Sequence, residues 1–226
     1  MKPTETLARE TTSDGEELVL SRRDGIYLLS VDGMELMSSR SHGSEDALAR
    51  LACAAIAGSK APRVLVGGLG FGYTLRAALD LLPPQARVVV CEVFPALLAW
   101  NRGPLAELAG RPLEDPRVRA VRADVRSLLG GGERFDAILL DVDNGPEAFT
   151  LRSNESLYTA GGLASLSRSL TEKGVLAIWS AAADPAFESR LRRAGFDACT
   201  ERASARGGAK GRRDAIFLAR RRRSAG

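Results

Sequence analysis

Arg63-Val64-Leu65-Val66-Gly67-Gly68-Leu69-Gly70-Phe71-Gly72-Tyr73-Thr74 decides the fold, because a short apolar run stops at a glycine-rich turn and an Ala/Leu-rich segment follows. This reads as strand, turn, helix. Glycine at 68, 70 and 72 lets the backbone turn tightly and approach a ligand closely, while the start of the next helix offers unpaired N–H groups to polar or anionic atoms. A cofactor is expected across this turn, against Gly68, Gly70, Phe71 and Gly72. Tyr73 stands where a dinucleotide fingerprint places its third glycine, which argues against a nicotinamide cofactor.

The next element supports the reading. Arg87-Val88-Val89-Val90-Cys91-Glu92 is a second buried-type strand, ending in an acid at about the twenty-residue interval expected for a ribose hydroxyl contact. Glu92 is the candidate ribose ligand.

Working outward, strands and helices alternate, which predicts a parallel sheet covered on both faces. A helix is expected from Tyr73 to Leu82 and another through Leu97, Leu98 and Trp100. Strands follow at Val118 to Val121 and Phe135 to Leu140, with a short helix near Val125 to Leu129 between them. Beyond them come a helix from about Leu163 to Leu170, a strand from Gly174 to Trp179 and a helix near Ala186 to Ala194. The last strands are expected around Ala198 to Glu201 and at Asp214 to Ala219. Ahead of Arg63, Glu17 to Ser21, Gly25 to Val31 and Met34 to Met37 read as a small antiparallel sheet. Met1 to Asp14 reads as a polar leader. Ser44 is the expected cap of a helix ending at Gly58, with Glu45 and Asp46 in its first turn. The expected division is 1–58 for the β extension and linking helix, 59–219 for the Rossmann-like domain and 220–226 for a basic tail.

Composition excludes several function classes. The 226 residues suffice for a full core, and no run is long and apolar enough to span a bilayer, so no membrane partner is expected. Cys53, Cys91 and Cys199 lack metal-ligand spacing and His42 is the single histidine, so no zinc cluster is expected and a reducing cytoplasm suits the chain. The charge of +4 is uneven, with Arg220-Arg221-Arg222-Arg223 near the end. Without interleaved aromatics this reads as a solvated tail rather than a nucleic-acid footprint.

In open α/β sheets the ligand crevice lies at the carboxyl ends of the strands, and here those ends carry the glycine turn, Glu92, Asp124 and Asp141. Asp124 is placed to accept from an exocyclic amine such as that of adenine, with Val125 offering its N–H, or else to cap the short helix after it. Asp141 falls beside the reactive end of the cofactor, where a carboxylate can orient and deprotonate an attacking amine. Asp143 and Glu147 add negative charge that attracts a cationic or amine substrate.

With these residues in place, the stretch from about Val31 to Gly195 resembles the spermidine synthase family, a branch of the class I S-adenosylmethionine-dependent methyltransferase fold. The resemblance is carried by Val31-Asp32-Gly33 with Glu35, the glycine turn followed by Thr74-Leu75-Arg76, Glu92, Asp115-Pro116-Arg117-Val118, Asp124, Asp141 leading to Gly145-Pro146-Glu147-Ala148, Glu155-Ser156-Leu157-Tyr158 and Lys173-Gly174-Val175-Leu176. It implies an α/β, Rossmann-like, seven-stranded sheet of order 3-2-1-4-5-7-6 with the last strand antiparallel, a small N-terminal β extension, and a homodimer. It also implies ribose at Glu92, adenine at Asp124, the amine nucleophile at Asp141, and substrate contacts from Glu35, Asp143, Glu147 and Tyr158.

Phe71 stands where the family has an aspartate near the donor's amino-acid end, Glu35 replaces a donor-contacting glutamine, and Asp141-Val142-Asp143-Asn144 replaces Asp-Ser-Ser-Asp. The loss of a charge at Phe71 removes a penalty against a carboxylate, so the expectation is a transferase that binds S-adenosylmethionine or its decarboxylated form and passes a methyl or aminopropyl group to a small amine, methyl slightly favoured. A true polyamine aminopropyltransferase is the alternative. A nucleic-acid methyltransferase and a non-catalytic nucleotide-binding module are the remaining rivals.

Overall fold

The computed structural model describes residues 3–12, 15–142, 152–204 and 213–222. Four N-terminal strands, β1 (Glu5–Thr11), β2 (Glu17–Arg23), β3 (Ile26–Val31) and β4 (Met34–Ser38), form an antiparallel meander. Tight turns at Asp24-Gly25 and Asp32-Gly33 join the last three, both aspartates and both glycines having positive φ. β1 corrects the expectation of an unstructured leader: its residues stay mostly exposed as an edge strand, and Arg9–Glu17 and Arg22–Glu5 ion pairs tie it to β2.

Helix α1 (Gly43–Ala55) links this sheet to the main one. Ser44 is not its cap. His42 occupies that position without its side chain capping a helix N–H, while the buried Ser44 hydroxyl donates to Glu45 at 2.7 Å. Burial pushes the Glu45 carboxyl above its ordinary range, and the neighbouring Asp214 charge adds to the shift.

The main sheet contains β5 (Arg63–Gly67), β6 (Arg87–Glu92), β7 (Val118–Arg122), β8 (Phe135–Leu140), β9 (Leu170–Ser180), β10 (Phe196–Ser204) and β11 (Arg213–Arg221). Their order is β10-β11-β9-β8-β5-β6-β7, which is 3-2-1-4-5-7-6 read from the other edge. The first five strands run parallel, and β11 is antiparallel to both of its neighbours. Being buried on both faces, β5, β6 and β8 read as continuous apolar runs. One face is covered by α1 and α2 (Tyr73–Leu81), the other by α4 (Ala160–Ser169) and α5 (Pro185–Arg193) with Leu163, Leu166, Phe187 and Leu191. A third cluster joins Leu18, Leu20, Leu29 and Val31 of the N-terminal sheet to Phe71 and to Leu97, Trp100 and Leu105 on and after α3 (Pro95–Trp100). No helix among the described residues is long and apolar enough to cross a membrane.

β11 extends two residues beyond the expected start of the tail, with Arg220 opposite Asp197 and Arg221 opposite Phe196. Truncation at Arg220 therefore removes ladder bonds. It is expected to lower stability by about 2 kcal/mol, roughly 4–8 °C in the thermal midpoint, measurable by calorimetry against a chain ending at Arg222.

Candidate active site

The strand order reverses between β5 and β8, and the crevice of such a sheet lies at that point, beyond the carboxyl ends. Two loops meet there. Asp141 N–H donates to Gly67 O at 2.9 Å, closing β8 against β5, and Thr74 Oγ1 in the first turn of α2 donates to Asp141 Oδ2 at 2.6 Å. The carboxylate expected to act as base is thus held at the switch point, half-buried, by a hydroxyl that is itself buried.

The glycine turn approaches Asp141 closely. Gly68 has φ +88°, and a Cβ there would sit 2.3 Å from the Asp141 carbonyl oxygen. Gly70 (φ +50°) passes beneath Met37 of β4, where a Cβ would meet the methionine Cε at 2.9 Å. The N-terminal sheet therefore lies directly over the turn. Around it, Gly68 N–H donates to Cys91 O and Gly72 N–H to Leu69 O, whereas Gly70 and Phe71 N–H donate to no group among the described residues.

Glu92, 6 % exposed, accepts from Leu69 N–H and from Phe94 N–H, both at 2.9 Å. It braces the turn. Val93, next in the chain, is 39 % exposed, an apolar side chain on the crevice rim that sequence reading passed over.

Asp124 takes the capping place that its position also offered. It caps the 3-10 turn Val125–Leu128 by accepting from Arg126 N–H at 2.8 Å, and its carboxylate is clamped by the Arg126 guanidinium. That guanidinium holds the carboxyl below the usual carboxylate range and also donates to Ser156 Oγ at 2.8 Å. Val125 is buried, its methyl 3.1 Å from the Cβ that a side chain at Gly67 would carry.

The side chains of Phe71 and Tyr158 lie in the core, so Phe71 offers a cofactor its backbone N–H and not its ring. The Phe71 ring is 2 % exposed in the cluster under the N-terminal sheet, edge-on to Tyr73. The charge argument for methyl transfer assumed a side chain at this position facing the donor, and it loses that premise. The Tyr158 ring is equally buried, edge-on to Phe187 at 5.4 Å. Glu35 is exposed on β4, while Asp143 and Glu147 lie outside the described residues. Cys91, beside the turn, is pushed up to about 12 by burial and the neighbouring Glu92, so it is a neutral packing group and not a nucleophile.

No family model matches the sequence, and no curated protein matches it. Solved structures do. A spermidine synthase in complex with the transition-state analogue AdoDATO superposes with a TM-score of 0.73 at 18 % identity, covering 95 % of this chain and 72 % of that one. A spermidine synthase from Thermotoga maritima superposes with a TM-score of 0.72 at the same identity and coverage. The chain has the spermidine synthase fold. The likeness takes in both the N-terminal sheet and the seven-stranded sheet, since it spans nearly the whole chain.

Two further residues of this spermidine synthase fold are supports that spacing did not reveal. Thr74 holds Asp141. Asn101, directly after α3, donates from Nδ2 to Gly70 O and to Leu97 O, both at 2.9 Å. His42 forms a neighbouring group, stacked on Tyr73 with centroids 4.2 Å apart and bonded through Nδ1 to Asp46 Oδ2 at 2.9 Å.

Proposed function

We propose that this chain is an aminopropyltransferase of spermidine synthase type, taking decarboxylated S-adenosylmethionine as donor and a small amine as acceptor. The observation that supports it most is the superposition over 95 % of the chain on a spermidine synthase that itself binds AdoDATO. Three local observations fit an adenosine-bearing donor: the undonated N–H groups of Gly70 and Phe71, the Glu92 carboxylate at the carboxyl end of β6, and the exposed Val93 beside it.

The donor supplies an electrophilic carbon attached to a sulfonium. The chain positions and deprotonates. An amine nitrogen forms the new N–C bond as the C–S bond breaks, the bonding pair passes to sulfur to leave neutral methylthioadenosine, and the amine proton goes to the Asp141 carboxylate. Thr74 donates to one carboxylate oxygen and so limits the rotation of the group. Glu92 and the turn set where the nucleoside stops, which places the reacting carbon.

Asp141 also bears on the choice of donor. A second carboxylate about 6 Å from it costs roughly 3 kcal/mol in a partly shielded site. Calorimetric titration is therefore expected to give at least about tenfold tighter binding of decarboxylated S-adenosylmethionine than of the intact form, with aminopropyl transfer to putrescine or a related diamine. Tighter binding of intact S-adenosylmethionine, with methyl transfer to an amine, would defeat the proposal.

A further inference from the structure

The glycine turn has a mechanical problem. Gly68, Gly70 and Gly72 all sit at positive φ, and three glycines within five residues lose more entropy on ordering than any other residues would. Such a turn needs external ties if its peptide groups are to face a ligand in one orientation. The segment from Glu92 to Asn101 supplies two. Glu92 at its start accepts the Leu69 N–H, and Asn101 at its end donates to the Gly70 carbonyl.

Asn101 is built for this. It is 1 % exposed, its other amide hydrogen is anchored on Leu97 O, and its Oδ1 lies 3.0 Å from the position a Cβ on Gly72 would take. That oxygen accepts no hydrogen bond among the described residues, although buried acceptors ordinarily find a donor. A side chain with its acceptor unsatisfied and both donors committed to carbonyls is retained for what it donates.

A peptide plane links the two sides of the turn. The peptide bond between Gly70 and Phe71 is trans, so the Gly70 carbonyl and the Phe71 N–H point in opposite directions. With the carbonyl tied to Asn101, the Phe71 N–H is turned away from α3, and it donates to nothing among the described residues. We infer that Asn101 is a positioning residue for the donor site: by holding the Gly70 carbonyl it fixes the direction of the Phe71 N–H, and with it the affinity of the turn for an adenosine-bearing ligand. This rests on the donor site proposed above.

The test measures methylthioadenosine affinity and thermal midpoint together. Asn101→Leu keeps the shape and loses both donations; Asn101→Ala, which likewise cannot donate to Gly70, serves if the leucine variant fails to fold. Leu105→Ala, which opens the same apolar cluster without removing a hydrogen bond of the turn, is the control for instability alone. Measured at least 15 °C below each midpoint, the Asn101 variants are expected to bind methylthioadenosine at least tenfold more weakly than wild type, with Leu105→Ala within twofold of it. Asn101 variants that bind within twofold of a binding wild type overturn the inference alone, as does an equal loss in Leu105→Ala. A wild type that binds no adenosine ligand overturns the donor site and the inference with it.

Discussion

Replacing Asp141 by asparagine is expected to cut turnover about a hundredfold or more while leaving donor affinity within about twofold. The change is nearly isosteric, and the amide oxygen can still accept from Thr74 Oγ1, so the 2.6 Å contact that orients the group survives. So does the link from the residue 141 N–H to Gly67 O. What is lost is the proton acceptor at the switch point, and removing a positioned general base typically costs 10²–10⁴ in rate. Single-turnover rates with saturating donor and amine separate this from binding. A loss of donor affinity as large as the loss of rate would make Asp141 a ligand residue, and unchanged turnover would remove it from the chemistry.

Gly68→Ala is expected to be strongly destabilising. The left-handed φ of +88° costs an alanine about 1 kcal/mol, and its Cβ would lie 2.3 Å from the Asp141 carbonyl oxygen and 3.0 Å from the carbonyl carbon. These are backbone atoms held by the β5–β8 closure, with no flexible end to give way. The combined cost is expected to be about 3 kcal/mol or more, roughly 6–12 °C in midpoint. Gly130→Ala isolates the backbone-strain part, since Gly130 has φ +77° with nothing within 4 Å. It should lose only about 1 kcal/mol. Equal midpoints for the two variants would show that the turn and the Asp141 loop separate at little cost.

The strands of the main sheet were legible because the central ones are continuous apolar runs between glycine, proline and charged punctuation, whereas their order was implied by the family resemblance alone. Val64 to Val66, Val88 to Val90 and Ala137 to Leu140 fall where their sequence puts them. β1 was not, because Glu5-Thr6-Leu7-Ala8-Arg9-Glu10-Thr11 buries almost nothing and owes its pairing to β2. Similarly, β9 begins at Leu170, inside the expected helix, because the segment before Gly174 pairs Leu170 with Phe135 across a register shift. Gly68, Glu92 and Asp141 fall at the carboxyl ends of their strands as expected, because strand ends are a one-dimensional signal. The burial of the Phe71 and Tyr158 rings was not legible, because nearness to a motif in the chain does not say which side of the loop a ring faces. Asn101 and Thr74 gave no signal of their own: what they do is defined by Gly70 and Asp141, 31 and 67 residues away.

Phe71 shares its burial with Leu18, Leu20, Leu29 and Val31, so part of the ligand turn and part of the N-terminal meander melt or persist together. Local opening of β2 and β3 therefore takes the site with it, and the meander belongs to the same cooperative unit as the donor site whatever boundary is drawn at residue 58. The linkage is reciprocal: a nucleoside that orders the turn should slow amide exchange in β2 and β3, a protection appearing about fifty residues upstream of the turn along the chain.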